Sequence, residues 1–138
     1  MKTENRFRAE WEPQTAVLLT WPHGDSDWAG SLDRISATYL EMARAISRHQ
    51  WLIILAHDRL LQEQLLSLLA DSPHIQIVHQ PSNDTWIRDY GPLSIEIRKH
   101  VTHLNFRFDA WGGKYDARLD DTVSRALDEQ GLFGCGML

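Results

Sequence analysis

Apolar residues along the chain form three short runs, separated by segments of helical spacing. Runs of this length that end in proline or polar residues predict buried β-strands, here over 16–21, 51–57 and 75–79. From Ser31 to His49, and again after Asp58, apolar residues recur every three or four positions, which predicts two amphipathic helices. Asp58 is a typical N-cap residue, and Asp71-Ser72-Pro73 ends the second helix. The alternation of strands and helices indicates an α/β fold.

The second half of the chain has a different pattern. Residues 93–99 and 100–108 alternate between apolar and polar positions, which predicts an antiparallel hairpin turning around Lys99-His100. Gly112-Gly113 indicate a turn, and a last helix is predicted from Asp116 to Glu129. Because no long-period repeat or linker is present, we predict that residues 1–138 form one α/β unit.

Composition narrows the class of protein. Of 138 residues, 43% are hydrophobic and 24% charged, which is typical of a globular domain with a real core. The net charge of −5, with scattered basic residues, argues against a nucleic-acid partner and favours small cationic ones. No apolar stretch is long enough to span a membrane, and the first residues lack the apolar core of an export signal. We therefore expect a cytoplasmic protein without a membrane partner.

The segment NDTWIRDYGP, residues 83–92, places two carboxylates, a guanidinium and an indole within a few positions. If its centre is extended, Asp84, Trp86 and Arg88 share one face and Asp89 lies on the other. A carboxylate can bind a guanidinium through two charge-assisted hydrogen bonds while an indole covers the planar cation, so an arginine-like ligand is one interpretation. The other is an internal pair of Asp84 or Asp89 with Arg88 that stabilises the loop, which spacing alone favours.

Two further groups of residues are weaker candidates for chemistry. HGDSD, residues 23–27, could form a metal site with His57-Asp58, because imidazole and carboxylate suit several divalent ions. Aspartate and serine near a helix more often act as caps and turn formers, and we favour that interpretation. Cys135, the single cysteine, is flanked by glycines and has no visible activating partner, so we do not expect it to be a nucleophile.

Four motifs, in this order, resemble the amino-terminal part of the agmatine deiminase family, relatives of the bacterial peptidylarginine deiminases: AEWEPQ (9–14), LLTWPHGDSDW (18–28), NDTWIRDYGP (83–92) and FDAWGGKY (108–115). The resemblance implies the pentein fold, a five-bladed α/β propeller, of which this chain would form the first blade and part of the second. It also implies hydrolysis of the guanidine of agmatine to N-carbamoylputrescine and ammonia, in putrescine biosynthesis. That reaction uses a cysteine and a histidine and needs no metal or organic cofactor.

The same resemblance implies roles for individual residues. The aspartate of the W-x-R-D element, here Asp89, binds the substrate guanidinium as a catalytic residue, and Trp86 lines the same pocket. Asp84 and Arg88 are expected to organise the loop. The family's nucleophilic cysteine and central histidine motifs do not occur in this sequence. We therefore expect an amino-terminal fragment that is inactive alone and that self-associates through uncovered strand edges.

Three other functions stay open at this point. One is deimination of arginine in proteins. Another is a non-catalytic module that binds guanidines or polyamines with Trp86 and Asp89. The third is a metal-dependent hydrolase built on His23, Asp25 and Asp27.

Overall fold

A computed structural model describes residues 5–134 of the chain, so Cys135 lies outside the described residues. The first element is a two-residue strand, β1 (Arg6–Phe7). The chain divides into two compact units: residues 14–87 form one, and residues 1–13 together with 88–138 form the other. That residues 1–138 act as one α/β unit stays a prediction. Within the described part, no helix has the length and hydropathy needed to cross a membrane.

The unit of residues 14–87 is a parallel sheet with two helices. Its strands β2 (Ala16–Thr20), β3 (Trp51–Ala56) and β4 (Ile75–His79) lie in the order β2-β3-β4. A 3-10 turn (Ala29–Ser31) and α1 (Leu32–Ser47) connect β2 to β3, and α2 (Arg59–Leu68) connects β3 to β4. The three predicted strands and two predicted helices are confirmed, with small differences at their ends.

The core of this unit forms around β3, the central strand. Leu52, Ile54 and Leu55 are completely buried. β3 pairs with a strand on each edge, and its side chains pack against apolar residues. Such a strand needs a nearly continuous apolar sequence, which WLIILA provides. Leu65 of α2 and Ala43 of α1 belong to one cluster with Leu52 and Ile54. Asp58 caps α2 as predicted, because its Oδ1 accepts the backbone N–H of Leu61 at 2.8 Å.

The other unit contains an antiparallel sheet. β5 (Leu93–Ile97) and β6 (His100–Leu104) form the predicted hairpin, and β1 pairs with the free edge of β5, giving the order β1-β5-β6. The predicted turn at Lys99-His100 is wrong by one residue, since His100 already pairs with Ile97. Arg98 and Lys99 form the turn, with φ of 51° and 68°. Two successive left-handed residues match the right-handed twist of the flanking strands.

A single helical turn, α3 (Ile87–Tyr90), corrects the expectation that residues 84–88 are extended. Ile87 and Arg88 have helical hydrogen bonding, so side chains from 84 to 88 do not alternate between two faces as they would in a strand. Asp89 lies in the same turn. The proline that follows Gly91 lacks a donor N–H, and the chain enters β5 directly after it.

The FDAWGGKY motif contains an unusual backbone. In α4 (Ala110–Gly113) all four residues have positive φ, from 52° at Ala110 to 85° at Gly112. Glycine adopts this region freely, whereas each of Ala110 and Trp111 is disfavoured there by about 1–2 kcal/mol. The predicted turn at Gly112-Gly113 is confirmed and extends two residues further toward the N-terminus. Asp109 supports it, because its Oδ1 accepts the N–H of Gly112 at 2.9 Å.

The last helix, α5 (Asp120–Glu129), begins four residues later than the predicted start at Asp116. Asp116 instead accepts hydrogen bonds from the backbone and side chain of Arg118, which forms a local turn outside the helix. Val123 and Leu127 are buried. Ser124 is buried beside them and donates to the carbonyl of Tyr90 at 3.0 Å.

Candidate functional site

Polar side chains gather where the three parallel strands end. His23 follows β2, His57 directly follows β3, and Gln80 and Ser82 follow β4. His23, Gln80 and Ser82 are buried. The carboxyl ends of neighbouring parallel strands meet at one edge of a sheet, which is where open α/β sheets bind ligands. The residues after β2, β3 and β4 are therefore the candidate site of this unit.

The imidazole of His57 contacts the backbone of Ser82. Its Nδ1 lies 2.9 Å from the carbonyl oxygen of Ser82 and 3.3 Å from the N–H of the same residue. A carbonyl only accepts and an N–H only donates, so the role of Nδ1 depends on the tautomer. Nε2 of His57 lies 4.0 Å from Oδ2 of Asp25, whose side chain is 88% exposed.

His23 is buried under His57. The two imidazole rings stack with centroids 3.9 Å apart and planes 14° from parallel. Nδ1 of His23 accepts the backbone N–H of Asp25 at 3.3 Å, while Nε2 has no hydrogen-bond partner among residues 5–134. Burial, and then the charge that His57 would carry, lower the pKa of His23. The ring is therefore neutral at neutral pH.

Metal binding was one interpretation of this region of the sequence. Within the described residues, potential ligand atoms of His23, Asp25 and His57 lie within 4.8 Å of one another. Asp58 is instead the cap of α2, and the Ser26 hydroxyl closes the 23–28 loop by donating to the carbonyl of His23 at 2.7 Å. The favoured interpretation as caps and turns is thus confirmed for these two residues. An ion lies near the plane of each imidazole that binds it, and two stacked rings cannot both meet that condition around one ion.

Asp84 and Thr85 connect two loops of the candidate site. Asp84 accepts the N–H of Thr85 at 2.6 Å and the N–H of Asp27 at 3.4 Å. The indole Nε1 of Trp28 donates to the Thr85 hydroxyl at 2.9 Å. Trp86 follows directly and is 48% exposed. These contacts are what a loop-organising Asp84 would make, although that role stays a prediction.

Arg88 and Asp89 belong to the other unit. Arg88 pairs with Glu10, a partner that lies 78 positions away and that local spacing does not indicate. Both side chains of this pair are largely exposed, so it contributes little to stability. The carboxylate of Asp89 is exposed and, among residues 5–134, has no hydrogen bond or ion pair. An internal Asp89–Arg88 pair is therefore wrong, and the Asp89 carboxylate is accessible to a ligand. The AEWEPQ motif, which contains Glu10, was the one sequence signal that could have indicated the Arg88–Glu10 pair.

The burial of His23 predicts how the stability of the 14–87 unit depends on pH. The pKa of His23 is lowered on folding, so the unfolded chain binds the proton more tightly. The stabilisation that neutral His23 contributes is complete above the pKa of His23 in the unfolded chain, about 6.5. It is lost as the pH falls toward the pKa of His23 in the folded state. Urea unfolding at about pH 7.5 and about pH 5.5 should show a lower midpoint at the acidic pH, and His23→Gln should reduce this difference. The exposed His49→Gln is the matched control and should retain it; an unchanged pH dependence in His23→Gln would contradict the prediction.

The sequence profile of one family, described as Porphyromonas-type peptidyl-arginine deiminase, matches residues 6–135. The chain is 35% identical over 106 residues to the agmatine deiminase of Pseudomonas syringae pv. syringae, covering 76% of this chain and 28% of that protein. It is 32% identical over 129 residues to the agmatine deiminase of Stutzerimonas stutzeri, covering 88% of this chain and 34% of that protein. The chain therefore spans about a third of the length of these relatives.

Solved structures give a corresponding similarity. A substrate-bound agmatine deiminase of C. jejuni has a TM-score of 0.87 and 28% identity to this chain, with 98% of this chain and 40% of that one covered. A second structure of C. jejuni agmatine deiminase has a TM-score of 0.82, 27% identity and the same 40% coverage of its own chain. The similarity extends over both units described above.

Proposed function

Because the chain belongs to the Porphyromonas-type peptidyl-arginine deiminase family, we propose that it carries the guanidinium-binding part of an agmatine deiminase. The observation that supports this best is the exposed Asp89 carboxylate, without a partner among the described residues, in a W-x-R-D element. A carboxylate left open to solvent is available for a planar cation, which it can bind through two parallel hydrogen bonds. Trp86, three residues earlier and 48% exposed, would cover the face of that cation.

The proposed reaction is hydrolysis of the agmatine guanidine. Water adds overall, ammonia leaves, and N-carbamoylputrescine is the other product. Asp89 would hold the guanidinium by charge and geometry, so that its carbon is oriented for attack. The attacking cysteine and the histidine that the family resemblance implies match no motif in the sequence, so we propose binding without turnover for these 138 residues. No metal or organic cofactor enters this scheme.

We also propose how the two units relate to the family fold. The parallel sheet of residues 14–87 and the antiparallel sheet that contains β5 and β6 would correspond to the first blade and part of the second of a five-bladed propeller. The high TM-scores over nearly the whole of this chain support the proposal. Self-association through uncovered strand edges and a cytoplasmic location stay predictions.

Calorimetric titration with agmatine, putrescine and an arginine-containing peptide tests the function. We expect agmatine to bind more tightly than putrescine, because only agmatine carries the guanidinium that Asp89 would recognise. Equal affinity for agmatine and putrescine would instead indicate a general polyamine-binding module. Preference for the peptide would favour deimination of protein arginine. Release of ammonia from agmatine by the purified chain would contradict binding without turnover.

A further inference from the structure

The loops that follow β2 and β4 are joined by hydrogen bonds, although β3 lies between these two strands. The main contact runs from the indole Nε1 of Trp28 to the Oγ1 of Thr85, at 2.9 Å. We call this contact the indole–threonine bridge. A weaker bond from the N–H of Asp27 to Asp84, at 3.4 Å, lies beside it.

The Thr85 hydroxyl has three polar partners here. A hydroxyl has one donor and two acceptor positions. It lies 3.2 Å from Oδ1 of Asp84, a carboxylate that only accepts, so Thr85 donates in that contact. It accepts from the indole N–H of Trp28. Its third partner is the Tyr39 hydroxyl: burial raises the pKa of Tyr39, and the hydrogen bond with Thr85 opposes that shift.

Tyr39 links the bridge to the core of the unit. Its ring contacts Trp21 edge to face, with centroids 5.6 Å apart. Trp21 is 3% exposed and belongs to the main apolar cluster. Thr85 is thus attached through Tyr39 to the best-packed part of the unit. Trp86 is its neighbour in the chain and is held by the same backbone.

We propose that the indole–threonine bridge positions Trp86 for binding a guanidinium, with Trp28 and Thr85 as positioning residues. This rests on the proposed function. An aromatic face contributes to the affinity for a cation only to the extent that it is ordered before the ligand arrives, since ordering it on binding costs free energy. About half of Trp86 is exposed, so its own packing covers only part of the ring. The bridge adds a constraint on the backbone at residue 85, directly before Trp86.

Two substitutions at position 85 separate the hydroxyl from the side-chain volume. Thr85→Val keeps the shape and removes every hydrogen bond of the hydroxyl, whereas Thr85→Ser keeps the hydroxyl. We expect the agmatine Kd to rise by about threefold or more in Thr85→Val and to change by less than about twofold in Thr85→Ser. Trp28→Phe removes the indole donor together with part of the ring. Combined with Thr85→Val it should cause little further loss, because the indole–threonine bridge is already broken in the valine variant.

Amide hydrogen exchange on the ligand-free chain provides a second readout, at a temperature where all variants are folded. We expect Thr85→Val to accelerate exchange at residues 84–86 while the amides of α2 keep their rates, and Thr85→Ser to resemble the unsubstituted chain. If that chain does not bind agmatine, the proposed function fails and hydrogen exchange alone decides whether the bridge orders Trp86. Unchanged exchange in Thr85→Val, or identical behaviour of the valine and serine variants, overturns the proposal.

Discussion

Replacing Asp89 with asparagine should weaken agmatine binding by at least about tenfold. The side chain keeps its shape but loses the charge, and a hydrogen bond to a charged group contributes about 1.5–3 kcal/mol, of which 1.4 kcal/mol is tenfold in Kd. Asp89 is exposed and forms no hydrogen bond or ion pair with residues 5–134, so its substitution should leave the urea midpoint unchanged. Calorimetry with agmatine measures the first effect and urea unfolding the second.

The matched control is Asp71→Asn, which removes an exposed carboxylate at the end of α2. It changes the net charge by the same amount but should leave the agmatine Kd within about twofold, since exposed charges are screened by salt over roughly 10 Å. An equal loss in both variants would mean that overall charge, rather than a site at Asp89, attracts the ligand. Retention of full affinity in Asp89→Asn would remove the main support for the proposed function.

A second large effect is expected from Ile54→Ala in the centre of β3. Ile54 is completely buried, so the substitution removes apolar contacts and leaves a cavity that the rigid sheet fills poorly. Changes of this kind cost about 2–5 kcal/mol, a large part of the 5–15 kcal/mol that typically stabilises a domain. Chemical denaturation followed by circular dichroism should show a much lower midpoint.

The corresponding control in the same unit is Leu60→Ala, on the first turn of α2. Leu60 is 66% exposed, and truncating it should change the free energy of unfolding by no more than about 0.5 kcal/mol. Similar losses in the two variants would show that β3 is not the centre of the core.

Most of the fold could be predicted because burial imposes a period on the sequence. WLIILA is apolar throughout since β3 has neighbours on both edges, and Leu61 and Leu65 of α2 are four positions apart on the face that packs against the core. The helix start at Asp58 was predictable as well, because N-capping depends on a side chain only three residues from its partner.

The errors arose where local hydrogen bonding replaces periodicity. The single turn of α3 is too short to show helical spacing, so the sequence pattern predicts an extended segment instead. Asp116 could have started a helix, but it bonds to Arg118 instead. The stacking of His23 on His57 depends on the order of strands in the sheet, which no local pattern contains. For the same reason the sequence indicated Asp89 and Trp86 through a motif but gave no sign of the contact between Trp28 and Thr85.

The pairing of β1 with β5 has a consequence for synthesis of the chain. Arg6 and its partner Glu96 are 90 positions apart, and residues 14–87 complete their own sheet from the sequence between them. At roughly 5–20 residues per second, a ribosome needs roughly 5–18 s to add the partner after β1 has been made. During that interval the parallel sheet can fold while β1 stays unpaired. β1 is therefore made before the parallel sheet and incorporated after it.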